Sequence, residues 1–221
     1  RVIQYAFQIE KSEENKMNVN FQYSKTLAGE GAILLLLGLV PTVGWVLGIV
    51  GIVLLLKAMK ELSYYYQDES IYKDAWTGLK YYIVALIAIG VAVGIGIVSF
   101  AAAGLFAGAT FALTAGVIGG IISILSGLVV AFIFYVLAAG HLRKVFNTLS
   151  QKSGEHNLET AGTLLWIGSI LTIIGVGLIL IFISWMFAIV GFFSIKPNEY
   201  QTYTATTNEN GYTQPPKSPD Q

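Results

Sequence analysis

Few side chains in this sequence have the type and spacing for chemistry. Glu30 is the one carboxylate set inside an otherwise apolar run, Leu27 to Leu37. A charged group at membrane depth is costly and by default marks a pathway or a proton relay. Glu30 stands only four residues into that run, however, where water and the positive end of a helix dipole are near, so an interfacial structural role is expected. His141 and His156 lie 15 apart, with Glu155 and Glu159 close to the second. His156 and Glu159 share a helical face, but no third convergent ligand is visible, and no metal site is expected. Arg143 and Lys144 close a long uncharged run and suit anionic headgroups. Gly94-Ile-Gly96 sits inside an apolar span without a preceding strand and is no dinucleotide loop. No nucleophile and base pair up, so no enzyme and no cofactor are expected.

The elements that must position these residues are membrane spans. Hydrophobic residues make up 55% of the 221, charged residues 12%, and mean hydropathy is +0.67. Neither Tyr81–Gly140 nor Thr160–Ile195 contains a Lys, Arg, Asp, Glu or His, and ~20 apolar residues already cross a bilayer core. Basic and acidic residues balance at 13 each, which gives no electrostatic case for nucleic acid. The absence of cysteine removes disulfides and thiolate chemistry.

In chain order, residues 1–26 read as a polar cytoplasmic arm, and Met17 is the expected translation start. Residues 27–63 read as a helical hairpin turning at Pro41–Gly44, because Pro41 removes a backbone donor and Gly44 permits a turn. Distribution of charge supports the hairpin over a single span. It gathers eleven basic residues on one side against two on the other, and short basic loops collect on the cytoplasmic face. Residues 64–80 form a cytoplasmic loop with an aromatic belt, in which Ser63 or Ser70 caps a short helix. Residues 81–140 give two spans turning near 104–110, with small-residue pairs at Gly90/Gly94, Gly104/Gly108 and Gly116/Gly120 for close packing. A basic loop, 141–160, precedes the last span, 161–195, and an external Thr- and Pro-rich tail, 196–221, follows it.

That last run is 35 residues long, roughly 52 Å as one helix against a core of ~30 Å. A thicker membrane, a break at Gly175-Val-Gly177 or Gly191, or burial against a partner would resolve the excess. Trp185, Phe187, Phe192 and Phe193 are accordingly expected to contact another chain or thick lipid.

Two blocks resemble the archaeal integral-membrane family called domain of unknown function 996. One runs Lys25-Thr-Leu-Ala-Gly-Glu-Gly-Ala through Pro41-Thr-Val-Gly-Trp45 to Glu61-Leu-Ser-Tyr-Tyr-Tyr-Gln-Asp-Glu-Ser-Ile-Tyr72. The other runs Arg143-Lys-Val-Phe-Asn-Thr-Leu-Ser150, then Thr160-Ala-Gly-Thr-Leu-Leu-Trp-Ile-Gly-Ser, to Gly191-Phe-Phe-Ser-Ile195. Glu30 departs from the family pattern, which is apolar there. The resemblance implies an archaeal cytoplasmic membrane and carries no activity.

The expectation is therefore an all-α, polytopic membrane protein: an N-terminal hairpin followed by three long spans. Its expected role is a scaffold or accessory subunit, with lipids, other membrane subunits or further copies of itself as partners. A channel or carrier for a small neutral solute is the rival. It would need a polar stripe, and Ser99, Thr114, Ser123, Ser126, Tyr135, Ser169, Thr172 and Ser184 are sparse.

Overall fold

In an apolar surrounding each backbone N–H and C=O must find its partner within the segment, so uncharged runs of this length become helices. The computed structural model describes residues 21–38, 40, 44–105 and 110–196, and no strand occurs among them. The helices are α1 (21–37), α2 (Gly44–Tyr65), α3 (Glu69–Leu105), α4 (Thr110–Ser153), α5 (His156–Leu171) and α6 (Gly177–Ser194). A 3-10 turn, Thr172–Ile174, joins the last two. Four helical segments are long and apolar enough to cross a membrane: Glu69–Leu105, Thr114–Ser153, His156–Ile174 and Gly177–Ser194. The chain is all-α, as its composition requires. The expectations for the arm up to residue 20 (with Met17), for Pro41-Thr-Val43, for residues 106–109 and for the tail from 197 lie outside the described residues.

The first hairpin forms where it is expected. A Cβ on Gly31 would stand 2.9 Å from the Leu55 nitrogen and 3.1 Å from the Gly51 oxygen, and one on Gly38 3.1 Å from Gly48 Cα. As α1 residues rise in number their α2 neighbours fall, which is antiparallel pairing at near-backbone contact.

Together α3 and α4 make a long antiparallel pair. Beyond the first turns of α3, the buried positions are Ala85, Ala92, Gly96 and Ala103, all small. Spacings of seven, four and seven keep these residues on one face, as in a helix with one neighbour. From α4, Gly116 lies against Ala103, Gly120 against Phe100, and Gly127 against Ala92. Ser123 Oγ donates to the Ala92 carbonyl at 3.2 Å. Of the small-residue pairs, Gly116/Gly120 serves this seam. Gly90, Gly94 and Gly104 have no neighbouring atom within 4 Å of a Cβ position; Gly108 lies outside the described residues.

One expectation is corrected. Residues 161–195 are not one span: α5 ends at Leu171, the chain turns, and α6 returns along it. Gly175 adopts φ 83°, a left-handed conformation that costs a glycine little. Its N–H donates to the Thr172 carbonyl. Close pairing then follows at Gly168 with Gly177 and Ile181, and at Gly191 with Leu158. Ser184 Oγ donates to the Ala161 carbonyl at 2.7 Å. The break at Gly175-Val-Gly177 thus removes the length excess.

Fold-back also relocates the chain's exit. Lys25 Nζ donates to the Ile195 carbonyl at 3.3 Å, and the Tyr66 hydroxyl to the Lys196 carbonyl at 3.0 Å. Lys196 therefore lies at the same end as Lys25 and the α2–α3 joint. A single last span would put Lys196 at the opposite end.

The core sits at this end. Phe146 is 1% exposed, edge-on to Trp185 (centroids 6.3 Å) and to Phe192 (5.6 Å). Trp185 and Phe192 are therefore internal packing, not outward contacts, because the returning α6 turns that face onto α4. Phe187 and Phe193 remain exposed.

Candidate functional site at the polar end

Every ionisable side chain other than tyrosine among the described residues lies toward one end of the bundle, since the apolar halves of the helices hold none. Asp68 starts α3. Its carboxylate accepts from the Ser70 N–H at 3.0 Å and from the Ser70 hydroxyl at 2.6 Å, and lies 3.4 Å from Lys152 Nζ at the end of α4. The Ser70 hydroxyl, above all, and then its N–H and Lys152 hold the Asp68 carboxyl below the usual carboxylate range, against a smaller opposing effect of burial. The cap is thus Asp68, not Ser63 or Ser70. Ser63 Oγ instead donates to the Lys60 carbonyl within α2.

A group whose folded pKa is depressed stabilises the fold above its unfolded pKa, and that contribution is lost as pH falls through the folded value. Asp68→Ala is expected to cost about 1 kcal/mol at neutral pH. The gap to wild type should shrink as pH falls below the ordinary carboxylate range. Paired thermal unfolding in detergent at neutral and acid pH measures this; a gap that widens in acid contradicts it.

Three further pairs mark where α3 and α4 leave the apolar zone. His141 Nδ1 and Asp74 Oδ1 are 2.8 Å apart, with the Tyr81 ring 5.4 Å from the imidazole. The Arg143 guanidinium lies 4.9 Å over Trp166, and Lys80 Nζ 5.7 Å over Trp76. On the first hairpin, Lys57 Nζ donates to the Tyr23 hydroxyl at 3.2 Å. Three cations are thus held against aromatic faces, an attraction of about 0.5–1 kcal/mol each at exposed sites, and Lys144 is exposed beside Arg143. Chemically, this set can hold anions at a membrane surface. No nucleophile stands with the Asp74–His141 pair among the hydrogen-bond partners described.

Asp74 and His141 are 67 residues apart, so only the α3/α4 register brings them together; no local signal in the sequence carries the pair. His156, expected in a loop, is the first residue of α5 and shares a helical face with Glu159. His156 Nδ1 lies 3.9 Å from Glu159 Oε2, both largely exposed. Among the described residues no three His, Cys, Asp or Glu side chains gather as a metal site would need. The aromatic belt is partly core: Tyr66 is buried, with Tyr65 5.1 Å and Phe21 6.4 Å away by ring centroids. Burial first, and the neighbouring Tyr65 second, push the Tyr66 phenol up. Tyr64 is exposed.

Glu30 is exposed on α1, on the face that also carries Thr26, Ile33 and Leu37. Glu30→Gln is expected to change stability by less than about 0.5 kcal/mol, read as an unchanged melting temperature in detergent.

Five hydroxyls of the apolar segments are engaged with backbone. Ser123 and Ser184 bond across helices, while Ser126, Ser169 and Thr172 donate to carbonyls of their own preceding turn.

Comparison with known proteins adds a family. The family model described as protein of unknown function (DUF996) matches residues 47–186. An uncharacterized protein of Methanocaldococcus jannaschii is 30% identical over 179 residues, which is 81% of this chain and 95% of that protein. No solved structure matches.

Proposed function

We propose, for a chain that belongs to the DUF996 family of proteins of unknown function, that it is a non-catalytic scaffold or accessory subunit of a membrane protein complex. The outer surface of α3/α4 carries this reading. Past Tyr81 the pair buries one small-residue seam and leaves Ile87, Val91, Ile95, Val98, Ile118, Ile122 and Leu125 uncovered. Gly90 and Gly94, with open space about them, let a neighbouring helix approach to backbone contact. The engaged hydroxyls tell against the channel reading, because each has its hydrogen spent on a carbonyl rather than offered to a solute path.

The polar end lies in the cytoplasm on this reading, since the described basic residues from Lys25 to Lys196 gather there. Arg143 and Lys144 meet anionic headgroups at that face. Purification in a gentle detergent followed by native mass spectrometry tests the proposal. A stoichiometric second protein, lost on Gly90→Leu, supports it. A lone chain overturns it, and a homo-oligomer with a water-filled interior replaces it with a channel.

A further inference from the structure

Beyond the scaffold reading, and independently of it, we infer that the protein is a wedge: α3/α4 crosses the bilayer, while the α5/α6 hairpin ends inside it, and the unequal cross-section favours curved membrane. The register of α5 on α4 fixes the depth. A Cβ on Gly162 would stand 3.1–3.2 Å from Phe146 and Arg143, and one on Gly140 3.7 Å from Trp166. The same antiparallel register carries the Thr172–Gly175 turn to the level of Phe134, which packs on Tyr81 of α3 (centroids 5.9 Å). From Tyr82 to Leu105, α3 then continues for roughly 36 Å at 1.5 Å per residue, with α4 beside it throughout. That length alone exceeds a hydrocarbon core of ~30 Å.

If α5 and α6 crossed the membrane with their turn in water, this pair would project bare into water on the far side. It is uncharged and almost wholly apolar, so such a position is untenable. Placing the pair in the core instead leaves the α5/α6 tip within the bilayer. Its chemistry agrees. Ile173 is 75%, Ile174 66% and Ile179 64% exposed, and no ionisable residue occurs between Thr160 and Ile195. The charges of the α5/α6 hairpin sit at its open end (Glu155, His156 and Glu159), the end at which the Lys25–Ile195 and Tyr66–Lys196 hydrogen bonds form.

The leaflet at the polar end therefore holds α5 and α6 beside α3 and α4, and the other holds α3 and α4 without them. At about 10 Å per helix diameter, the two extra helices add roughly 150 Å² to one leaflet. A leaflet expanded in this way relaxes when it lies on the convex side of a curved bilayer.

The chain is free of cysteine, so single-cysteine variants of the full protein in phospholipid vesicles test both halves of the inference. Ile173→Cys, and Ile174→Cys as a second exposed tip position, should resist a membrane-impermeant maleimide from either side, whereas exposed Gln151→Cys should react from the polar side. Labelling of a tip cysteine from the side opposite Gln151→Cys would show a full crossing and overturn the insertion. Fluorescent wild-type protein, reconstituted into phosphatidylcholine–phosphatidylglycerol vesicles extruded to graded diameters, should show a several-fold rise in surface density as diameter falls. A density independent of diameter would overturn the wedge.

Discussion

Phe146→Ala is expected to destabilise the protein by about 3–5 kcal/mol, the range for removing a fully buried aromatic ring. Phe146 is the side chain on which the last hairpin closes. Trp185 and Phe192 of α6 both meet it edge-on, and Gly162 of α5 brings its backbone against the Phe146 Cβ. The cavity cannot collapse cheaply, because Leu149, Leu158 and Ala188, which are fully buried in the same cluster, are already packed. Reversible unfolding in mixed micelles, with sodium dodecyl sulfate as the denaturant and tryptophan fluorescence as the signal, reads the loss. Trp185 reports on the site itself. Proteolysis gives a second readout: the Lys144 and Lys152 peptide bonds, in the last turns of α4, should become sensitive to trypsin in the variant. A loss below about 1 kcal/mol would mean that α5/α6 docks by some other contact.

Gly127→Val should separate α3 from α4, whereas Gly94→Val should leave the folded chain intact. A Cβ on Gly127 would overlap the Ala92 methyl group and lie 3.2 Å from the Ala88 carbonyl. Neither neighbour is a flexible side-chain end that can swing aside. Overpacking in a tight core costs about 1–3 kcal/mol, and here the Ser123–Ala92 hydrogen bond is strained with it. Around Gly94 nothing stands within 4 Å, so added methyl groups meet only what surrounds the molecule. Melting temperatures in detergent should fall for Gly127→Val and hold for Gly94→Val. Equal falls would mean that both glycines lie in packed seams. In the scaffold reading, Gly94→Val has a distinct consequence: the monomer is unharmed while partner retention drops.

The sequence by itself determined the helical class, the division into a polar and an apolar end, and the first turn. Hydropathy sums over local windows, and a run without charge leaves the backbone no partner but itself. Pro41 adds a local prohibition that no tertiary contact can remove. The second turn is different. Gly175-Val-Gly177 and Gly94-Ile-Gly96 are near copies in equally apolar surroundings, yet the first turns the chain at φ 83° and the second stays within α3. What separates them is the surface available for packing. Folding back lets α5 and α6 enclose Phe146 with Trp185 and Phe192, while Gly96 is already matched to Ile124 and Gly120 across the α3/α4 seam. The same tertiary choice set the end at which Lys196 emerges and turned two expected outward aromatics into core. It also joined Asp74 to His141 across 67 residues of sequence. Spacing along a chain records which residues share a helix face; only the pairing of helices decides which faces meet.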